Sequence, residues 1–428
     1  MWGAEAEKAG CYSIQANTLY RDMNHQVKRK TILFFDHTAK LGGGEIALLH
    51  LVERLDARRF LPVVVVGEEG PFAEALERAG IETHVIALAG SVSQTRKDSL
   101  DRKSLLRLDA AREVLNYVRQ LARFIKSRGA DVVHTNSLKA DIIGGLAARM
   151  ARVPVIWHVR DRIEDDYLPS LAVRVFRVLC RVVPDAVIVN SRATMKTLRF
   201  PPAHDARKCR KPRISRRFVV HDGFVEQEGV EAQSKNERKK SATDNDSPLV
   251  GIVGRISPWK GQRVFVEAAQ LVREKFPGAR FQIIGSAMFD EEEYERETRS
   301  LACSLGLDDC LEWLGFRSDV PQLMSGLDVL VHASTSGEPF GQVIIEGMSL
   351  GVPVVATRGG AVPEIIRDGL TGMMVPMGDA SAMADAIVWL LANPEKARAM
   401  GLAGQNHARG CFSIDRVVEK VQAIYDGF

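Results

Sequence analysis

Short apolar runs alternate along this chain with amphipathic segments of helical period. In the first half the runs lie at 31–36, 62–67, 83–88, 131–134, 153–158, 186–189 and 218–221. The second half restarts the alternation at 249–253 and repeats it at 280–284, 311–313, 328–333 and 352–356. Continuous apolar runs separated by helices are typical of parallel strands buried on both faces. The pattern therefore predicts an α/β protein with two doubly wound parallel sheets.

Changes in composition divide the chain further. Residues 1–29 lack clear periodicity and predict a flexible N-terminal extension, and 90–103 is a polar excursion. Residues 30–222 and 249–412 predict two Rossmann-like domains. Between them, 223–248 holds few large apolar residues and cannot bury a core, so it predicts a charged linker. Residues 413–428 predict a helix that packs back on the first domain.

Bulk properties exclude several classes of protein. The 428 residues, with 46% hydrophobic and 26% charged, suit a globular protein of two domains. A net charge of +4 is mild, and we predict no nucleic-acid partner. The six cysteines form no CxxC pair, which argues against a disulfide framework or zinc site and fits a reducing cytosol. No apolar run approaches the roughly 20 residues of a spanning helix, and no signal peptide is indicated. We predict a cytoplasmic protein.

The stretch 328–360 carries the first candidate site. It predicts strand, polar loop, helix, strand and glycine turn, with Pro339 near the first turn of the helix. Glu338 lies at the helix start and Glu346 eight positions later. Free amides at such a helix start bind anions at the carboxyl edge of an α/β sheet. Carboxylates beside an anion are suited to uncharged groups such as sugar hydroxyls.

Two glycine loops are further candidates. GRISPWKG at 254–261 places Arg255 and Lys260 where two cations match the charges of a diphosphate, although a solvated loop is the alternative. KLGGGE at 40–45 lets the backbone approach a ligand at Gly43 and Gly44, although a tight strand-to-helix turn is the alternative. Neither half has a GxGxxG with a downstream acid or a GxxxxGK[ST] loop.

Together, GRISPWKG, the E-x7-E pair Glu338 and Glu346, Gly359-Gly360 and Pro363-Glu364 resemble the GT-B retaining glycosyltransferases of family 4, over residues 31–428. The resemblance implies two Rossmann-like domains facing a central cleft. It implies transfer of a sugar from a nucleotide-diphosphate sugar to a saccharide or lipid-linked acceptor, in polysaccharide or glycolipid synthesis. No metal or other cofactor is implied.

The resemblance also implies roles for individual residues. Arg255 and Lys260 hold the diphosphate, Glu338 contacts hydroxyls of the donor sugar, and Glu346 accepts from the ribose. His158 lies near the transferred sugar. Backbone contacts with the donor are implied at the following positions: Gly43, Gly44, Gly254, Gly285, Phe340 and Gly341.

Other interpretations stay open at this point. An epimerase or hydrolase would share the nucleotide site, and a non-catalytic binding scaffold would keep it without turnover. The basic segment 192–217 is either a solvated loop or a contact with anionic membrane at its inner face. Arg160 and its neighbours could meet the acceptor. Asp222, where many family members have asparagine, is expected to act as a turn residue. Asp244-Asn245-Asp246 has the DxD spacing of metal-dependent transferases, but it lies in the predicted linker.

Overall fold

The computed structural model describes residues 29–88, 108–201, 216–226, 247–288 and 291–428. They contain two parallel sheets. The first comprises β1 (Lys30–Asp36), β2 (Phe60–Val66), β3 (Glu82–Val85), β4 (Val132–Thr135), β5 (Val155–Val159), β6 (Ala186–Val189) and β7 (Arg216–Val219). The second comprises β8 (Leu249–Val253), β9 (Arg280–Ile284), β10 (Leu311–Gly315), β11 (Val329–His332), β12 (Val354–Thr357) and β13 (Met373–Val375).

Helices connect the strands in both halves. In the first half they are α1 (Gly43–Glu53), α2 (Pro71–Arg78), α3 (Leu108–Ser127), α4 (Leu138–Ala151), α5 (Ser170–Val182) and α6 (Arg192–Thr197). The second half has α7 (Gln262–Lys275), α8 (Glu292–Ser304), α9 (Val320–Ser325), α10 (Gln342–Ser349), α11 (Val362–Ile365), α12 (Ala380–Ala392) and α13 (Pro394–Phe412). The last helix is α14 (Ile414–Asp426).

Both sheets have doubly wound strand orders. The first runs β3-β2-β1-β4-β5-β6-β7 and the second β10-β9-β8-β11-β12-β13, and the paired strands are parallel. The order reverses between β1 and β4 and between β8 and β11. Crevices open at such reversals beyond the carboxyl ends of the strands. The prediction of two doubly wound parallel sheets is confirmed.

Two apolar layers enclose the first sheet. One face packs against α3, α4 and α5, and the other against α1, α2 and α14. Thus the last helix of the chain completes the core of the first sheet. Tyr425 of α14 is fully buried, with its ring 5.6 Å from that of Phe60 and 6.4 Å from that of Phe34.

The chain passes between the two halves at two adjacent places. Phe224 N–H donates to Phe412 O (3.0 Å), and Ile414 N–H donates to Phe224 O (3.0 Å). A Cβ at Gly223 would lie 2.9 Å from Ile414 Cα, so the two crossings approach closely only with glycine at 223. The crossings therefore form one short hydrogen-bonded ribbon.

Several local predictions were wrong. The helix expected to open at Glu338 begins only at Gln342, because Gly341 adopts φ 114°, and Pro339 lies in the preceding loop. The pattern did not predict α6, α11 or β13, whose three to six residues are too few to show a period.

Some predicted segments lie wholly or partly outside the described residues. They are 1–28 of the N-terminal extension, the excursion at 90–103, 202–215 of the basic segment and 227–246 of the linker, including Asp244-Asn245-Asp246. Among the helices that are described, none has both the length and the apolar character that crossing a bilayer requires.

Candidate functional site

Glu338 and Lys260 form the centre of the site in the second half. Glu338 follows β11, and Lys260 ends a short 3₁₀ turn after β8. Lys260 Nζ lies 3.1 and 3.0 Å from the two carboxylate oxygens of Glu338. His332 Nε2 and Ser334 Oγ contact Glu338 Oε2 at 3.1 and 2.8 Å. Burial by itself would raise the pKa of Glu338, but the charge of Lys260 and the hydrogen bond with His332 outweigh it and lower that pKa well below its ordinary value.

His332 and Ser334 were not identified from the sequence as site residues. His332 is the last residue of β11, and Ser334 lies two positions beyond it, with its Oγ 3.1 Å from His332 Nε2. Two polar residues two positions apart, followed closely by Glu338, were the signal that the sequence offered. Their role in this structure is to fix the rotamer of the Glu338 carboxylate.

The loops after β8 and β9 approach each other through glycine backbone. Gly254 has φ 146° and Gly285 φ 139°, and a Cβ at Gly285 would lie 2.1 Å from Gly254 O. Arg255 follows Gly254 and places its Nε 3.3 Å from Glu291 Oε2. Arg255 and Lys260 therefore lie at one carboxyl edge, each already facing an acidic partner.

Phe340 and Gly341 shape the start of α10. The buried Phe340 ring stacks on His221 (5.7 Å between centroids) and meets Phe412 edge-on (6.0 Å), so its side chain belongs to the packing between the halves. Any donor contact at Phe340 must come from its backbone. Gly341, as N-cap of α10, precedes amides that lack intrahelical acceptors.

Glu346 lies on α10 behind the helix start. Gln342 Nε2 donates to Glu346 Oε1 (3.1 Å) and to Gly223 O (3.0 Å). Burial raises the pKa of Glu346 to about 7, although the hydrogen bond from Gln342 opposes the shift. Gln342, another residue missed from the sequence, thereby links this carboxyl group to the ribbon between the halves.

The glycine loop of the first half leads into α1. Gly42 N–H donates to Glu45 Oε2 (3.1 Å), which caps the helix start. Space beside Gly43 is open, and a Cβ at Gly44 would lie 3.4 Å from Arg160 Cδ. Burial and the neighbouring charge of Asp36 raise the pKa of Glu45 to about 8.

His158 lies within β5 and is buried. Its Nδ1 is 3.1 Å from His134 Nε2, and His134 Nδ1 is 2.7 Å from the hydroxyl of Tyr425. Burial and the charge of Arg160 lower the pKa of His134 to about 3 and that of His158 well below its ordinary value. Burial raises the pKa of Tyr425 well above its ordinary value. All three groups are therefore neutral at pH 7.

Arg160 determines the direction of this hydrogen-bonded chain. Arg160 Nη2 lies 3.4 Å from His158 Nδ1 and can only donate, so Nδ1 must accept. The Tyr425 hydroxyl then donates to His134, His134 Nε2–H donates to His158, and His158 carries its proton on Nε2. His158 Nε2 is buried without a hydrogen-bond partner among the described residues. The predicted contact of His158 with a donor sugar stays a prediction.

Arg160 is the first residue beyond the end of β5. It forms an ion pair with Asp222, and its Nε donates to Asn136 Oδ1 (2.8 Å). The side chains of Arg160 and Asp222 are only 9% and 10% exposed. Asp222 is thus more than a turn residue, because it neutralises a nearly buried guanidinium.

Loops from the two halves meet directly at the site. Arg162 Nη1 donates to Gly337 O (3.1 Å), and Ser191 Oγ donates to Pro339 O (2.6 Å). Glu364 accepts hydrogen bonds from the backbone amides of Arg192 (2.9 Å) and Ala193 (2.8 Å) at the start of α6. The carboxyl edges of the two sheets therefore face each other.

The structure brings Arg255, Lys260 and Glu338 to one edge, with Glu346 behind them on α10. Gly43, Gly44 and Arg160 lie on the edge of the opposite sheet. Among the described residues, no group of three or more His, Cys, Asp or Glu side chains is placed to hold a metal ion.

Comparisons with known proteins agree with this architecture. The family model for glycosyl transferases group 1 matches residues 233–407, and that for the glycosyl transferase 4-like domain matches residues 42–208. Anabaena HepE, solved in complex with UDP and glucose, is 25% identical with a TM-score of 0.76, covering 93% of this chain and 99% of its own. The chain is therefore a GT-B glycosyltransferase, with a group 1 domain in its second half and a 4-like domain in its first.

Named relatives span nearly the whole chain. EpsD of Bacillus subtilis, named as a glycosyltransferase, is 28% identical over 370 residues, covering 84% of this chain and 92% of EpsD. An Escherichia coli protein named UDP-Gal:alpha-D-GlcNAc-diphosphoundecaprenol alpha-1,3-galactosyltransferase is 24% identical over 399 residues. That match covers 90% of this chain and 94% of the relative.

Proposed function

We propose that this enzyme transfers a sugar from a nucleoside-diphosphate sugar to a saccharide or lipid-linked acceptor, with retention of anomeric configuration and without a metal ion. The observation that carries the proposal is the Lys260–Glu338 contact at the carboxyl edge of the second sheet. It places a cation for phosphate and an ionised carboxylate for hydroxyl groups within one hydrogen bond of each other. A diphosphate joined to a sugar presents those two kinds of group side by side.

In the proposed mechanism, positive charge develops on the transferred sugar while the nucleoside diphosphate departs. Lys260 and Arg255 stabilise the charge on the leaving diphosphate, which supplies much of the catalysis in such transfers. Glu338 orients sugar hydroxyls and Glu346 the ribose. The amides near Gly341 and the backbone at Gly43, Gly44, Gly254 and Gly285 complete the donor contacts.

Named relatives support both the donor and the acceptor class. HepE was solved with UDP and glucose, which supports a nucleoside-diphosphate sugar as donor. The E. coli relative's name specifies a UDP-sugar donor and a diphosphoundecaprenol-linked acceptor, which supports a lipid-linked acceptor.

A donor and acceptor screen tests this function. The purified enzyme is incubated with radiolabelled UDP-, GDP- and ADP-sugars, with and without lipid extracts and with a chelator as control. We expect a labelled saccharide or lipid product, unchanged by the chelator, whose anomeric configuration by NMR matches that of the donor. Free monosaccharide as the sole product would indicate a hydrolase, an epimeric nucleotide sugar an epimerase, and binding without turnover a scaffold.

A further inference from the structure

The outer surface of α3, α4 and α5 carries an unusual concentration of exposed apolar side chains. Of the twelve large apolar side chains that are exposed in the described part of the chain, seven lie on these three helices. They are Leu115, Leu146, Met150, Leu171, Val175, Val178 and Val182, each 41–56% exposed. We call this surface the apolar face.

Helix α5 shows how the face arises. Val173, Phe176 and Cys180 pack into the core of the first sheet. Leu171, Val175, Val178 and Val182 follow spacings of four, three and four residues, which align them as one stripe on the outward side. A surface helix ordinarily carries polar residues along that stripe, so a continuous apolar one indicates a binding partner.

The neighbouring helix α4 extends the stripe. Arg149 Nε donates to Val183 O at the end of α5 (2.6 Å), so the C-terminal ends of the two helices lie side by side. Leu146 and Met150 of α4, which flank Arg149, are 41% and 44% exposed. The apolar surface is therefore shared by adjacent helices on one side of the sheet.

Charge identifies the partner. On the described side chains of these three helices, eight cations are exposed or partly exposed, against one exposed acid, Glu113. The cations are Arg112, Arg119, Arg123, Lys126, Lys139, Arg149, Arg174 and Arg181. A second copy docked on the same face would oppose cation to cation. An anionic lipid surface suits both the apolar side chains and the cations of this face. Valines and leucines would enter the acyl boundary, and arginines would contact the phosphates.

We propose that the apolar face of α3, α4 and α5 is a docking surface for an anionic bilayer. Acids at 164–166 precede α5 at the end nearest the cleft, whereas Val178, Val182 and Met150 lie toward the opposite end. The C-terminal halves of α4 and α5 therefore enter the lipid most deeply. The inference extends the proposed function. It rests on that function only in taking the acceptor to be lipid-linked.

Co-sedimentation with vesicles tests the docking surface without donor or acceptor. The full chain is mixed with phosphatidylcholine vesicles that contain either no anionic lipid or about 30% phosphatidylglycerol. We expect binding to the anionic vesicles, little binding to the neutral ones, and loss of binding as NaCl rises from about 0.1 to 0.5 M. The double variant Val178→Asp/Val182→Asp is expected to bind at least about tenfold more weakly, because charges in the stripe oppose insertion.

Two further variants make the test specific. Leu370→Asp/Leu402→Asp alters two apolar residues of the second half, each 56% exposed, and should bind vesicles as the unaltered protein does. Arg123→Gln/Lys126→Gln should weaken binding and flatten its salt dependence. Thermal unfolding of every variant checks folding.

Two results would overturn the proposal. One is equal vesicle binding by the Val178→Asp/Val182→Asp variant and the unaltered protein. The other is absence of binding to anionic vesicles by the unaltered protein; if that protein then forms a dimer, seen by light scattering, that this variant dissociates, the face joins two copies. Because vesicle binding is measured without donor or acceptor, failure of docking and failure of the proposed transfer give different results.

Discussion

Arg160 and Asp222 form a nearly buried ion pair at the carboxyl edge of the first sheet, although they lie 62 positions apart in the chain. Asp222→Asn leaves the guanidinium with no full countercharge. We expect a loss of about 3–5 kcal/mol in the free energy of unfolding, as for other broken buried pairs. Urea denaturation measures it.

The surface pair Arg317–Asp319, 42% and 41% exposed, is the matched control. Asp319→Asn should leave the urea midpoint unchanged, because an exposed pair is solvated. The double variant Arg160→Gln/Asp222→Asn should lose less free energy of unfolding than the sum of the losses in its two single variants. Strict additivity would show that the two residues do not interact.

Lys260 contacts both oxygens of Glu338, and the proposed mechanism gives it the departing diphosphate. Lys260→Ala should lower turnover at least about tenfold, because a lost charged contact is worth roughly 1.5–3 kcal/mol. Lys275→Ala removes a lysine of α7 that is paired with Asp385 at the surface, and its turnover should equal that of the unaltered enzyme. Unchanged turnover in Lys260→Ala would contradict the diphosphate role.

Glu346 gives donor binding a pH dependence. Its pKa of about 7 means that the folded protein holds this proton more tightly than the unfolded chain, so its contribution to stability falls as pH rises from about 4.5 to 7. In the proposed mechanism, ribose hydroxyls donate to the ionised form. Donor affinity, measured by calorimetry, should therefore be about tenfold lower at pH 6 than at pH 8.

Glu346→Gln should bind the donor more weakly and with a flatter pH profile over that range. Any slope that this variant keeps near pH 8 is expected to come from Glu45, whose pKa is about 8. An unaltered slope near pH 7 in Glu346→Gln would assign the titration to another group.

Tyr425→Phe tests the hydrogen-bonded chain from α14 to His158. The ring packing against Phe34 and Phe60 is kept, and only the donor to His134 Nδ1 is lost. We expect about 1–3 kcal/mol of destabilisation from the buried acceptor left unpaired. Nitrogen-15 NMR of the histidine rings should show His158 protonated on Nε2 in the unaltered protein and a shifted His134 Nδ1 signal in the variant.

Tyr117→Phe is the matched control, because the Tyr117 hydroxyl also donates to a buried acceptor, Ile86 O (2.9 Å). It should cost comparable stability and leave the ring signals of His134 and His158 in place. Identical histidine spectra in unaltered protein and Tyr425→Phe would mean that the hydroxyl does not donate to His134.

Glu364 joins the two halves through two backbone amides of α6 and through His221 Nε2 (3.0 Å). These hydrogen bonds outweigh the effect of burial and lower the pKa of Glu364. Their contribution to stability is therefore lost as the pH falls below the ordinary pKa of a glutamate. Glu364→Ala should weaken the contact between the two halves, and small-angle scattering should show a larger radius of gyration than for the unaltered protein. Equal radii of gyration for the variant and the unaltered protein, with and without donor, would contradict a role for this contact in holding the two halves together.

The local sequence pattern was sufficient to predict most helices and strands and part of the proposed donor site. Most strands were predictable because they are continuous apolar runs, although β3 and β7 begin with polar or charged residues. The longer helices were predictable because their period is helical over ten or more residues. Glu338, Glu346, Arg255 and Lys260 were predictable because they lie in short motifs whose chemistry depends on neighbouring positions. Short elements such as α11 and β13 hold too few residues to show any period.

Tertiary structure decided the contacts between distant segments. The sequence by itself determined two parallel sheets, the glycine loops and the acids and cations of the proposed donor site, because these depend on residues a few positions apart. Only the folded chain decided that Arg160 pairs with Asp222, that Tyr425 reaches His134, and that Pro339 lies in a loop held by Ser191. These contacts span from 62 to 291 positions, so no local pattern carries them. They follow from packing α14 on the first sheet and from the facing of the two carboxyl edges.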